Sequence, residues 1–327
     1  MKALVYKEYG SPDVLKCEEL PKPVASGDEV LIKVRAAAAN PLDWHDMRGE
    51  PYMLRWGNGF RKPKAGRLGV DLAGVVAAAG KNVTQFQVGD EVFGAGRGAF
   101  AEYVCAREDR LVKKPANLSF EQAAAVTVAA ITALQGLRDK GKIQRGQKVL
   151  INGAAGGVGT FAVQIAKAFG AEVTGVCSSS NVEMVRAIGA EHVIDYTQED
   201  FTRSGQRYDL MLDCVGNHSL SACRRVLQTR GAYVMVGGPS SRWIQPLPRL
   251  LQLLFLSMFV RQKLIFFVAA INQKDLLVLQ ELMEAGKVTP VIDRGYALSE
   301  AAAAIRHLEG GPARGKWSSL LQHNRPT

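Results

Sequence analysis

The sequence predicts an α/β protein in which a doubly wound parallel sheet is inserted into a smaller, mostly β domain. Three observations predict it. The first hundred residues read as short strands broken by turns, strand and helix alternate strictly from Gln147, and a mixed texture returns beyond Asp275. A chain of 327 residues is also longer than one hydrophobic core usually serves, which favours two domains.

Taken in order, MKALVYKEYG reads as a first strand and lacks the apolar core of a secretory signal. DEVLIKVRAAA follows the Gly27-Asp28 turn, and VDLAGVVAAAG, VGDEVFGAG and FAEYVCA come after it, each punctuated by Gly or Asp. No helix signal competes before Ser119, which pairs with Gln122 as a capping box opening the Ala-rich stretch 120–140. KVLING is then a buried strand, Val158 to Phe169 a helix stopped by Gly170, and AEVTGVC a strand. Asn181 to Ile188 forms a helix, HVIDY and YDLMLDCVG strands, Ser219 to Leu227 a helix, and AYVMVGG the next strand. A helix ending at Gly286, a strand around Val291 and a helix from Ser299 to Leu308 complete the chain, and no internal repeat is visible.

Composition narrows the class. Apolar residues at 47% and charged residues at 22% exclude a disordered or fibrous chain. Five scattered cysteines without a CxxC pair point to a reducing cytoplasm and away from a structural zinc knuckle. The net charge of +10 is unevenly placed: Cys214 to Lys274 carries eight Lys or Arg and no acid, and Arg48 to Arg67 six against the single acid Glu50. These runs read either as solvated faces or as a positive field for an anionic ligand. No nucleic-acid-binding module accompanies them, so no nucleic-acid partner is expected. The apolar run Leu250 to Val260 spans eleven residues before Arg261, Gln262 and Lys263, short of the about 20 needed to cross a bilayer. A packed helix and a buried strand, near a pocket mouth or a dimer seam, are expected there instead.

The strongest chemical signal is VLINGAAGGVGTFAVQIAKAFGA, a strand, a glycine-rich turn and a helix in immediate succession. Gly153, Gly156 and Gly159 stand at the spacing of a dinucleotide-binding Rossmann turn, with Ala154 and Ala155 where a second glycine would fall. Glycine permits φ > 0 and leaves the backbone bare for a pyrophosphate, which the helix N-terminus then faces. NAD-selective sites place an acid about 20 residues further on. Here the second strand ends in Cys177, Ser178, Ser179, Ser180 and Asn181 without one, so NADPH is expected with NADH possible. No Lys or Arg lies in that loop, and the nearest is Arg186.

The motifs NPLDWHDMRG, GVDLAGVV, VGDEVFG, AFAEYV, AAAVTVAAITALQGL, NGAAGGVG, AIGAEHVIDY and GPARGK occur in an order and spacing that resemble the medium-chain dehydrogenase/reductase superfamily. The branch resembled is its zinc-free, quinone oxidoreductase-like one. The resemblance spans nearly the whole chain. It implies a GroES-like substrate domain from 1–122 and 270–327 around a Rossmann dinucleotide-binding domain at 123–269, and a homodimer formed through the last Rossmann strands. Zinc-dependent relatives carry a Cys near Asn40 and a His in a Gly-His-Glu motif, where this chain has Asn40-Pro41 and Gly69-Val70-Asp71. Valine cannot ligate zinc, and the four-cysteine lobe is missing, so no metal is expected.

The activity implied is hydride transfer to a quinone or α,β-unsaturated carbonyl, whose conjugation delocalises the incoming charge. The resemblance places Asn40 and Asp43 beside the nicotinamide, and Thr127, Cys214, Val215, Gly216, Val236, Gly237 and Gly238 around the cofactor. The glycine turn itself puts Gly153, Ala155, Gly156, Gly157, Val158 and Gly159 at the phosphates and the second strand's end puts Cys177, Ser178 and Ser179 at the adenosine ribose, while the resemblance places Tyr196 near the adenosine phosphate. Phe267, Val268, Gly315 and Lys316 are expected to close over the nicotinamide. Asn40 before Pro41 also reads as a strand terminator, and Asp43 as a cap of the following turn. Tyr52 is the candidate proton donor, with a half-buried loop aromatic as its alternative and His45 as another possible donor. Cys214 reads as a small buried hydrophobe. Two other functions stay open at this point: a dinucleotide-binding regulatory or membrane-associated module without catalysis, and a zinc-independent alcohol dehydrogenase.

Overall fold

Turn residues and alternating burial shape the opening strands. The structure, a computed structural model, describes residues 1–64, 66–237, 247–310 and 316–320. Strand β1 (Lys2–Val5) pairs with β2 (Lys16–Glu19), and β3 (Glu29–Ala39) follows a positive-φ turn at Gly27. Helices then appear where none was expected: α1 (Pro41–Arg48) and the single turn α2 (Arg55–Asn58). The cause of α1 is local. Pro41 is pre-organised for a first helical position, Asp43 reaches back to the Asn40 N–H, and Gly49 closes the helix in the left-handed region. Strands β4 (Asp71–Ala79), β5 (Glu91–Ala95), β6 (Tyr103–Arg107) and β7 (Leu111–Lys113) follow, close to expectation.

The Ala-rich stretch divides into three rather than forming one helix. Helix α3 (Phe120–Ala124) opens on the Ser119–Gln122 capping box, α4 (Thr127–Leu134) comes next, and a π-helical stretch (Gln135–Lys140) ends it. From there strand and helix alternate as read: β8 (Lys148–Asn152), α5 (Gly157–Ala168), β9 (Glu172–Cys177), α6 (Val182–Ala187), β10 (His192–Asp195), β11 (Tyr208–Asp213), α7 (Leu220–Arg225) and β12 (Leu227–Met235). Helix α8 (Leu247–Ser257) and strand β13 (Lys263–Phe266) occupy the apolar run and its continuation. Strand β13 is half-buried rather than fully buried. Helix α8 buries Leu253 but exposes Leu251, Leu254 and Phe255. Among the described residues no helix is long and apolar enough to cross a membrane. Helix α9 (Gln273–Glu284), strand β14 (Ile292–Ala297), helix α10 (Ala301–Glu309) and strand β15 (Lys316–Leu320) close the chain.

Two units result. The first comprises Met1–Ala129, Ile271–Ala285 and Pro290–Thr327. Its larger sheet runs β14-β15-β3-β4-β5-β7, with β6 also on β3, over a core that includes Ile32, Leu72, Phe100 and Leu111. Pairing is antiparallel apart from β14 with β15. Arg48 of α1 holds Glu309 of α10 through two hydrogen bonds of 2.6 and 2.9 Å. The second unit comprises Ala130–Ala270 and Gly286–Thr289, built on a six-stranded sheet in the order β10-β9-β8-β11-β12-β13. All of its pairings are parallel, and Leu150, Val176, Met211 and Tyr233 fill one side of its core.

Candidate functional site

Register determines what the second unit presents. Asp195 lies opposite Cys177, Asn152 opposite Val176 and Asp213, and Met235 opposite Asp213 and Phe266. Strands β8, β11, β12 and β13 therefore end level at their carboxyl ends, and β9 and β10 run one residue further. The outward order of β8, β9 and β10 on one side and β11, β12 and β13 on the other puts a switch point between β8 and β11. Ligands of doubly wound sheets bind outside the carboxyl ends at that point. The sequence-predicted residues Gly153, Cys177, Ser178, Tyr196, Cys214, Val236, Gly237, Phe267 and Val268 lie at or just after these strand ends, so the fold brings them to one rim.

The glycine turn sits between β8 and α5. Gly153 has φ of +85°, and a Cβ there would lie 2.7 Å from Val215. A Cβ on Gly159 would overlap the Gly153 carbonyl oxygen, which Gly156 N–H approaches to 3.0 Å. Both positions exclude any side chain, one by conformation and one by contact. Ala154 and Ala155 are buried, and α5 begins at Gly157 with Gly156 as a cap that has no side chain to offer its first N–H groups. Those groups and the helix dipole leave a place suited to a phosphate anion, and the bare backbone fits a dinucleotide's pyrophosphate.

The strand ends around this turn are held by a buried carboxylate that sequence reasoning missed. Asp213 Oδ1 accepts from Asn152 Nδ2 at 2.8 Å and from the N–H groups of Val215 and Gly216 at 3.1 and 2.8 Å. Its Oδ2 accepts from the Tyr233 hydroxyl at 2.6 Å. A fully buried acid closing the apolar run Leu210, Met211 and Leu212 of β11 is the signal that would have revealed it. Burial, then the nearby Asp213 charge, pushes the Cys214 thiol up, so it stays protonated and hydrophobic in character. Gln135 clamps the segment after β13, donating to the Ala270 carbonyl at 2.7 Å and accepting its N–H at 3.0 Å. Within that segment Phe267 is buried and Val268 exposed.

At the other end of the rim lies the serine loop. It contains no acid in sequence, but the parallel pairing of β9 with β10 brings Asp195 to it, and Ser179 Oγ donates to Asp195 Oδ2 at 2.6 Å. Burial pushes the Cys177 thiol up to about 11, with the Asp195 charge adding to it. Tyr196 is half exposed, and its N–H donates to the Cys177 carbonyl.

In the first unit, Asn40 and Asp43 are each 2% exposed. Asp43 Oδ2 accepts the Asn40 N–H at 2.7 Å and its Oδ1 the Gly69 N–H at 3.0 Å, so this carboxylate ties α1 to the segment before β4. Asn40 Nδ2 donates to Asp71 Oδ2 at 3.1 Å, while Asp71 Oδ1 accepts the Val128 N–H at 3.0 Å. A carboxylate at the first turn of α4 is also favoured by the helix dipole. Thr127, buried beside it, donates its hydroxyl to the Gly94 carbonyl at 3.1 Å. Sequence reasoning missed Asp71 as a site residue, although a buried acid opening an apolar strand marks it.

Arg55 stacks between the rings of Tyr52 and Tyr9, 4.5 Å from each. His45 stacks on Trp44, its Nδ1 lies 2.7 Å from the Glu50 carbonyl oxygen, and burial pulls its imidazole below the usual value. Lys316 opens β15, while its side chain, Gly238 and Gly315 lie outside the described residues. Among the described residues no three His, Cys, Asp or Glu side chains converge so as to hold a metal.

Two family models match the chain: an alcohol dehydrogenase GroES-like domain over residues 26–116 and a zinc-binding dehydrogenase over residues 188–317. The zinc that the second description implies finds no fitting set of donors among the described residues. The chain is 34% identical to 2-methylene-furan-3-one reductase of Solanum lycopersicum, over 97% of this chain and 78% of the relative. It is equally similar, with the same coverage, to the chloroplastic NADPH-dependent alkenal/one oxidoreductase of Arabidopsis thaliana. The structure of the quinone oxidoreductase from Coxiella burnetii superposes with a TM-score of 0.85 at 32% identity, covering 98% of this chain and 99% of that one. With the Rossmann rim and the GroES-like sheet both in place, the chain belongs to the medium-chain dehydrogenase/reductase superfamily, in its quinone oxidoreductase-like branch.

Proposed function

We propose that this protein is an NAD(P)H-dependent reductase of quinones or α,β-unsaturated carbonyls, with NADPH preferred and NADH accepted. The observation that carries the reading is the glycine turn at the head of α5, set at the switch point of a sheet whose strands end within one residue of each other. Relatives named as furanone, alkenal and quinone reductases support the acceptor class. When bound, the reduced nicotinamide supplies the hydride.

The chain's own residues bind, orient and exclude water. Gly153, Ala155, Gly156, Gly157, Val158 and Gly159 take the pyrophosphate, and Ser178, Ser179 and Tyr196 the adenosine end. Asp213 fixes the turn that carries Cys214, Val215 and Gly216. Asn40 serves the reacting end of the coenzyme, Asp71 orients its amide, and Asp43 is a positioning residue because both its oxygens are engaged by backbone. Tyr52 or solvent gives the proton that completes reduction.

The proposal retains the domain division expected from sequence, 123–269 within 1–122 and 270–327. It places the protein in the cytoplasm, where five free thiols are stable. It also makes the protein a homodimer through β13, which has a neighbour on one side only among the described residues, beside the apolar side chains exposed on α8. The test is NADPH oxidation with a panel of quinones, enals and enones, in EDTA, repeated with NADH. Turnover that ignores EDTA is expected, and silence across the panel with both coenzymes would overturn the reading.

A further inference from the structure

We infer that Asp195 sets the balance between the two coenzymes, favouring the ribose hydroxyls of NADH and opposing the 2′-phosphate of NADPH. The inference rests on the proposed coenzyme site and concerns only its adenosine end.

A 2′-phosphate brings negative charge and acceptor oxygens, so it needs donors or cations. Ribose hydroxyls can donate, so they are satisfied by acceptors. The loop after β9 carries three serine hydroxyls, but Ser179 directs its only hydrogen at Asp195 Oδ2, 2.6 Å away. Asp195 Oδ1 accepts the Thr197 N–H at 2.9 Å and the Thr197 hydroxyl at 2.8 Å. These bonds, the Ser179 hydroxyl foremost, hold the carboxyl below its usual range and keep it ionised.

A second observation agrees. Asn181 Oδ1, in the same loop, is buried and has no hydrogen-bond partner, and its Nδ2 already donates to Ser178 Oγ at 3.0 Å. The loop therefore gains an anion beside the Ser178 and Ser180 hydroxyls, keeps the Asn181 acceptor inside, and has its cation one helix away on the exposed Arg186. An acid at the end of the second strand is the usual NAD determinant. Here the third strand supplies it, level with Cys177. The exposed basic residues of the unit still attract NADPH, so Asp195 moderates that preference rather than reversing it.

The test is coenzyme affinity, measured by calorimetry on the full chain with NADPH and NADH separately, for the wild type and for Asp195→Asn. Asparagine removes the charge and keeps one of the two acceptor oxygens, for Ser179 or for Thr197. The ratio Kd(NADH)/Kd(NADPH) is expected to rise about tenfold, chiefly through tighter NADPH, which corresponds to about 1.4 kcal/mol. Added salt should shrink this difference. A ratio unchanged within twofold, or parallel weakening of both coenzymes, would overturn the inference and make Asp195 a clamp between loops. Wild-type protein that binds neither coenzyme would instead overturn the proposed coenzyme site itself.

Discussion

The glycine turn of the second unit is built from backbone, whereas the Asn40–Asp43–Asp71 network of the first is built from side chains that meet residues as far as 57 positions away. In the turn, what matters is what is missing: no Cβ at Gly153 or Gly159, and no capping side chain at Gly156. In the network, what matters is that each buried polar group finds a partner. The difference teaches that the turn fails when atoms are added and the network when they are removed.

The largest effect should follow an addition. Gly159→Ala places a methyl against the Gly153 carbonyl and forces the turn open. Coenzyme affinity should fall at least a hundredfold, with a stability loss of about 2 kcal/mol by denaturant titration. Wild-type affinity in this variant would break the backbone half of the comparison.

Next comes a removal. Asp71→Ala strips the acceptor from Asn40 Nδ2 and the Val128 N–H inside a buried region. Leaving both donors unpaired costs about 3 kcal/mol. Turnover should fall further than coenzyme affinity, because the glycine turn is untouched. Equal losses in both would show that the network and the turn are not separable.

Tyr233→Phe removes the 2.6 Å hydrogen bond to Asp213 from the rim of the second unit. A loss of about 1–2 kcal/mol in unfolding free energy is expected, since the buried carboxylate keeps its other partners. A neutral substitution would mean that the backbone N–H groups alone hold the Cys214–Gly216 turn.

The smallest effect concerns pH. His45 has its folded pKa pulled below the ordinary 6.5 by burial. The unfolded chain therefore binds the proton more readily. Stability from this group is present above pH 6.5 and is lost as pH falls from there toward the folded value. His45→Gln should flatten that part of a stability–pH curve, whereas an unchanged slope would assign it to other groups.

Legibility followed the same division. Gly153, Gly156 and Gly159, the helix after them and the Ser119–Gln122 capping box were readable because their determinants lie within a few residues of one another. Helix α1 was not expected, although its own signals are local. Asn40-Pro41 was read as a strand end, which it is, but the same pair also starts a helix once Asp43 closes the cap. The partners of Asp71 and Asp213 were beyond reach, since each bond joins residues brought together only by the fold. Asp195 shows the case most plainly. Its sequence neighbours suggested no link to the serine loop, and parallel strand pairing made one.

The measurement that tests the central claim most directly is isotope transfer. The two C4-deuterated diastereomers of NADPH would be incubated separately with the protein and an enone, and the product analysed by mass spectrometry. The account predicts deuterium on the carbon β to the carbonyl from one diastereomer and not from the other. Product free of deuterium from both would contradict direct hydride delivery.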